Sequence, residues 1–493
     1  MKNIYNNIRL LYTFKNQASF LVEMPAGGGS PLGAGAKGWQ KNMVAYNNIL
    51  TKIALCFLFS IFLCTTTFAQ SSETIPITLE KVLELAGAKN LTIKEYKERQ
   101  QLALADLAKA KEWWVPEIYA GARGNQLSGA AMNGNGRFFL DIDQNNLWLG
   151  IGAAANWDFA EGIYKTKAAK LKSEASQYRT VIEREKALLE SVSAYYDLMG
   201  AQLNLGAYNN LLSQSEIIVQ QIEIQVDAGL RFTSELLLAK SNKNHLAIAA
   251  LSAKRDLNNA SAKLLQLLNL DQNVTLLSVD STLVPLEDSG EEITTSMNDY
   301  QRRPEIKALA LDLEALKVAS KIYTTGLLLP ELHLDLNGSS FGRFNGNVNP
   351  IDPVTNPDPN QLYPTSAFAG SLLWRVPLGA LIQKGDTKKA ESLIRLKEIE
   401  AEQCKAQINE EVSRALSVLA VGREQILMAK EALDLSSEAL SQSMERQRLG
   451  TAKPFEVFQA QQFYLQAEID YIEVVGEYNK GWFAWRVAKG IGL

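Results

Sequence analysis

Two stretches of the chain place apolar or small residues at alternating steps of three and four, in the same register. The first runs Leu236, Ala239, Lys243, Leu246, Ala250, Ala253, Leu257, Ala260, Leu264 and Leu267; the second, 221 residues on, runs Val457, Ala460, Tyr464, Ala467, Tyr471, Val474, Tyr478, Gly481, Trp485 and Ala488. Such steps gather residues on one face of a helix, and the small ones let a neighbouring helix approach closely. Lys243 is the only charged residue on either seam. Three landmarks recur in order: PEIYAGARG from Pro116 against PELHLDLNG from Pro330, Trp157 against Trp374, and GLRFTSELLLAK from Gly229 against GTAKPFEVFQAQ from Gly450. Their offsets of 214, 217 and 221 drift as a duplication with small loop insertions does. The pattern predicts two structural repeats, 70–290 and 291–493.

After each Pro-Glu pair the period changes to two. Leu332, Leu334 and Leu336 alternate with His333, Asp335 and Asn337. Leu147, Leu149, Ile151, Ala153, Ala155 and Trp157 alternate with Trp148, Gly150, Gly152, Ala154, Asn156 and Asp158, and Phe368, Gly370, Leu372, Trp374 and Val376 do the same. A weaker alternation runs over Ile118, Ala120 and Ala122. These segments predict a β-hairpin in 116–160 and another in 330–378. Alternation alone also suits a half-buried soluble sheet. A membrane barrel better matches the polar faces, the Trp and Phe near strand ends, and the long Gly/Asn/Asp/Pro loops GAAMNGNGRFFLDIDQNN and GRFNGNVNPIDPVTNPDPNQLY. Four strands cannot close such a barrel, for about eight is the working minimum and an open edge in lipid leaves backbone groups without partners. Several copies must then share one barrel. A dimer supplies eight strands and a trimer twelve, and the pattern does not choose.

Helices are expected before each hairpin, over Leu79 to Trp114 and Pro304 to Thr325, with Pro304 suited to a first helical position. Longer ones follow, Tyr164 to about Asp227 and Thr387 to about Leu449, with almost no Pro or Gly. More than 60 residues of continuous helix reach on the order of 90 Å. The alternative is a break near Gly200 and Gly206 in the first.

From Lys52 the sequence TKIALCFLFSIFLCTTTFAQSS has the basic, apolar and small-residue order of a secretory signal. Cleavage after Ala69 is expected, with Met43 the expected initiator and 1–69 removed. Cys404 is then the only cysteine left, so no internal disulfide is expected. The chain has 493 residues, 46% hydrophobic and 21% charged, with a net charge of −4 and no basic run interleaved with aromatics. Nucleic acid is a poor partner for it. His245 and His333 are the only histidines. With one cysteine and no HExxH, CxxC or GxSxG arrangement, no catalytic site, metal or cofactor is expected.

Over about Gln70 to Leu493, the order of signal peptide, helix, two-strand insert, long helices and Gly-containing hairpin, all duplicated, resembles the TolC-like outer-membrane efflux protein family. The resemblance implies a mostly α fold with a small membrane β part: three protomers, a twelve-stranded barrel and a long α-helical coiled-coil tunnel across the periplasm. It also implies docking on a periplasmic adaptor and an inner-membrane transporter, in tripartite efflux or type I secretion of drugs, metals or proteins. The family's apolar-Gly-apolar tips match Ala228-Gly229-Leu230 and Leu449-Gly450-Thr451, Thr451 departing from the apolar pattern. Each Gly could equally serve as a helix terminator. Family positions at the constricted periplasmic aperture match Glu235 and Glu456, with Gln459 where a second acid often stands. Carboxylate rings there would select cations, although an acid in a first helical turn also suits the dipole alone. His333 is expected on the lumen face and Cys404 on a tunnel helix, both structural. A soluble periplasmic coiled-coil scaffold is the competing reading.

Overall fold

The computed structural model describes residues 73–132, 136, 138–286, 299–347, 365–376 and 384–493. The expected signal peptide and the segment before it lie outside the described residues. In chain order the elements are β1 (Glu73–Ile77), α1 (Leu79–Lys89), α2 (Leu91–Lys111), β2 (Glu117–Met132), β3 (Phe138–Asp158), α3 (Phe159–Asp227), α4 (Thr233–Leu268) and β4 (Val274–Ser278). They continue with α5 (Pro304–Ser320), β5 (Glu331–Asn347), β6 (Thr365–Arg375), α6 (Gly385–Arg448) and α7 (Pro454–Ala488).

The two long helices organise everything else. α3 has 69 residues and α6 has 64, which at ~1.5 Å per residue makes both about 100 Å long. Beside each, two shorter helices lie end to end. α2 and α4 meet along α3, where Asn90 Nδ2 donates to the Leu267 carbonyl at 2.9 Å. α5 and α7 meet along α6, where Arg303 Nη1 donates to the Val487 carbonyl at 2.7 Å and Nη2 to Glu411 of α6 at 2.9 Å. Both halves thus share one layout. No helix among the described residues is long and apolar enough to cross a membrane.

The seam residues face inward as their spacing requires. All twenty are buried or partly buried, and Lys243 pairs at 3.0 Å with Glu216 on α3. Near the tips Leu211, Ile218 and Ile222 of α3 pack with Leu236 of α4 and Val457 and Phe458 of α7. Each such side chain contributes about 1.5–3 kcal/mol of burial. A larger core midway along the helices gathers Tyr195, Leu198, Leu264, Leu268, Leu276 and Val475.

Three expectations are corrected and one alternative is excluded. The first helix breaks at Asn90, whose Oδ1 accepts from Thr92 N at 2.9 Å and so caps α2 afresh. The helix from Pro304 ends at Ser320 and gives way to 3₁₀ turns at Lys321–Tyr323 and Thr325–Leu328. No break occurs at Gly200 or Gly206, because α3 is held by neighbours along both its halves, from Thr166 Oγ1 to the Ala110 carbonyl and from Lys240 Nζ to Glu223. The first polar loop is much shorter than its composition suggested. β2 and β3 extend to Met132 and Phe138, since two antiparallel neighbours satisfy each other's backbone whatever the side chains are. Part of the second loop, 348–364, lies outside the described residues. The parallel pair β1–β4 was unforeseen. It rests on α3 through Gln202, whose Oε1 accepts from Ser278 N at 2.8 Å.

Candidate functional site: the sheet and the hairpin tips

The four long strands form one antiparallel sheet in the order β2-β3-β5-β6. Directly paired residues point to the same side, so the register defines its two faces. Ile118 faces Ala153 and Ala120 faces Ile151; Trp157 faces Leu332, which faces Trp374; Leu334 faces Leu372. One side is therefore apolar across all four strands, and it is uncovered: Ile118 is 80% exposed and Phe368 76%. The other side carries Asn156, Asp158, Glu331, His333, Asp335 and Asn337, with Ala154, Ala369 and Leu373 among them. Arg375 pairs there with Glu331, and His333 Nε2 lies 3.5 Å from the same carboxylate. On β3 the apolar side runs from Leu149 to Trp157, roughly 27 Å along the strand at ~3.4 Å per step. Tilted by ~40°, that projects to about 20 Å, close to the ~25 Å apolar band of a membrane barrel. Among the described residues, β2 and β6 leave both sheet edges unpaired.

At the far end of the helices the two hairpin tips have the same backbone. α3 ends in a Schellman turn: Gly229 N donates to the Val226 carbonyl at 2.9 Å and Leu230 N to Gln225 at 2.8 Å, with Gly229 at φ +71°. α6 ends likewise, Gly450 N donating to Gln447 at 3.0 Å and Thr451 N to Arg446 at 2.9 Å, with Gly450 at φ +78°. Ala228, Gly229, Leu230, Leu449, Gly450 and Thr451 are all exposed. Thr451 also donates from Oγ1 to the Arg446 carbonyl at 3.0 Å, a use for its hydroxyl that an apolar residue lacks.

The aperture candidates differ. Glu235 is three-quarters buried and accepts from Arg231 Nη1 at 3.0 Å. Glu456 is half-exposed, 3.4 Å from Arg446, and Gln459 beside it is exposed. Sequence reasoning missed Arg231. Its side chain spans the tips, donating also to Gln225 on α3 and, at 3.1 Å, to the Ala452 carbonyl between α6 and α7.

No family profile and no curated protein sequence matches the chain. Solved structures do. The Campylobacter jejuni CmeC outer membrane channel superposes with a TM-score of 0.67 at 19% identity, over 84% of this chain and 85% of that one. The outer membrane protein VceC of Vibrio cholerae gives 0.66 at 16% identity, over 84% and 96%. The chain has the fold of the TolC-like outer-membrane channels. Channels of that TolC-like fold have a long helical tunnel and a barrel formed by the trimer, and this chain matches them in its long helices and few strands. Cys404 lies half-buried on α6, the pKa of its thiol pushed up by burial and by Glu305. Within the TolC-like fold Glu235 and Glu456, matched by offset, are not equivalent, because Arg231 of the first tip has Ala452 as its counterpart in the second.

Proposed function

We propose that the chain is an outer-membrane channel that works as a ring of identical protomers and conducts solutes passively from the periplasm to the outside. One observation carries this reading: a four-stranded sheet with an uncovered apolar face, a polar opposite face and two open edges. Such a sheet is stable in lipid only when β6 of one copy pairs with β2 of the next until the ring closes. Three copies give twelve strands and a lumen lined by the polar face. The division into repeats 70–290 and 291–493 supports the same design, since each repeat supplies one hairpin to the barrel and one to the tunnel.

The exposed tips suit docking by a periplasmic adaptor that belongs to an inner-membrane transporter, and the energy for transport comes from that partner. No bond is made or broken in this reading, so the protein is not an enzyme.

The test begins with cell fractionation, then purification in detergent and reconstitution in planar bilayers. Recovery from the outer membrane as a species of three protomer masses, with single-channel conductance, supports the reading. Recovery as a detergent-free soluble protein without conductance would instead support a periplasmic coiled-coil scaffold.

A further inference from the structure

Every passage between sheet and helix lies at one rim of the sheet. Asp158, Glu331 and Arg375 align there, and Glu117 opens β2 four positions in. The helix ends beyond this rim are tied together: Thr166 Oγ1 donates to the Ala110 carbonyl at 2.6 Å and Thr387 Oγ1 to the Tyr323 carbonyl at 3.3 Å. Aromatic groups mark the same level. Trp157 Nε1 donates to the Trp114 carbonyl at 2.6 Å, and Trp113 meets Phe159 edge to face at 5.4 Å.

A basic collar follows immediately. Lys109 and Lys111 end α2, Lys167 lies in the third turn of α3, and Lys384, Lys388 and Lys389 flank the start of α6. All six are exposed, and none has an ion-pair partner among the described residues. The chain as a whole carries −4, yet residues 109–117, 158–167, 321–331 and 375–389 hold nine Lys or Arg against six Asp or Glu. Two of those acids are neutralised, Glu331 by Arg375 and Glu161 by Lys165, and Asp158 is engaged in capping α3. Helix stability does not explain the lysines at α6, because the positive end of a helix dipole disfavours cations.

We propose that this collar binds the anionic headgroups of phospholipids in the membrane leaflet on the helix side of the barrel. The proposal rests on the reading that the apolar face of the sheet meets lipid. That face is continuous with the collar through the tryptophans, so a bilayer covering it brings the headgroups onto the lysines. Lys167, about 13 Å along α3 from the rim, is the farthest of the six along its helix. A headgroup layer of ~5–8 Å plus one Debye length of ~8 Å still reaches it. Each lysine near such a surface strengthens association by about fivefold at low salt.

The experiment uses the full-length protein, purified in detergent and first checked for conductance, so that failure of the channel reading is seen separately. Mixed micelles of phosphatidylcholine and phosphatidylglycerol are offered, and the lipid retained is quantified by native mass spectrometry. Phosphatidylglycerol is expected to be enriched severalfold, less so at high salt. Lys111→Gln, Lys167→Gln, Lys388→Gln and Lys389→Gln combined should bring the ratio to parity, whereas the same four changes to Arg should keep it. Equal retention of both lipids by the wild type overturns the proposal. So does a Gln variant that keeps its lipid preference, and a shift of ion selectivity toward cations in that variant would place the lysines in the lumen. Should the Gln variant fail to assemble, the salt dependence of the wild-type enrichment decides: an enrichment that survives high salt also overturns it.

Discussion

The guanidinium of Arg231 and the carbonyl of Ala452 stand at matching positions of two hairpin tips, 221 residues apart, joined by a 3.1 Å hydrogen bond. The same side chain holds Glu235 and Gln225. Its planar fork of donors makes three such contacts possible where a lysine would make fewer. Ala452 offers no side chain to return the contact, so one residue of the first repeat secures the tip of the second.

Arg231→Gln removes this tie. A hydrogen bond from a charged donor contributes about 1.5–3 kcal/mol, and this partly buried one is expected at the low end. Amide exchange across Gly450 to Glu456 should accelerate by roughly tenfold, which corresponds to about 1.4 kcal/mol, while α2 exchanges as before. An unchanged pattern would mean that the second tip is held by other contacts.

Gly229→Ala and Gly450→Ala should each destabilise by roughly 1–2 kcal/mol, the strain of an L residue in the left-handed region. Neither site has an atom within 4 Å of an added Cβ, so backbone strain acts alone. Gly206→Ala, equally uncrowded but inside α3, should stabilise by about 0.5–1 kcal/mol. Denaturant midpoints separate the two directions.

Glu456→Gln should lower cation preference in a bilayer, read as a reversal potential under a salt gradient, because this acid is half-exposed. Glu235→Gln should leave selectivity alone and loosen the tip, its carboxylate being committed to Arg231. Equal effects on the reversal potential would refute the distinction.

Lys480 ties α7 to Asp197 on α3 and pairs with Glu477 at 2.9 Å. Burial pulls its pKa down, but the two carboxylates together outweigh burial and raise it above the ordinary 10.5. Stabilisation is therefore full below about pH 10.5 and is lost as pH climbs through the folded value. Tyr196, pushed up to about 12 by burial, acts in the same direction. Thermal melts of Lys480→Met should be weakened at pH 7 and show a shallower alkaline decline than wild type.

The elements and their duplication were readable from local pattern. Seam residues from Leu236 to Ala488, the alternating strands and the two tip glycines were legible because each depends on local periodicity or on one backbone angle. The apolar and polar sides of β3 and β5 were legible too, since a strand's two faces follow from its period. Whatever depends on distant partners came only with the folded arrangement. Asn90 interrupts a helix because the Leu267 carbonyl lies beside it; β1 finds β4 across 200 residues; much of the first polar loop lies in strand because its backbone is paired. That arrangement likewise separated Glu235 from Glu456, two acids at identical spacing, since only the first lies beneath an arginine that also reaches the other tip. Local pattern fixes which face a residue occupies, but its charge environment is set by whatever the fold brings against that face.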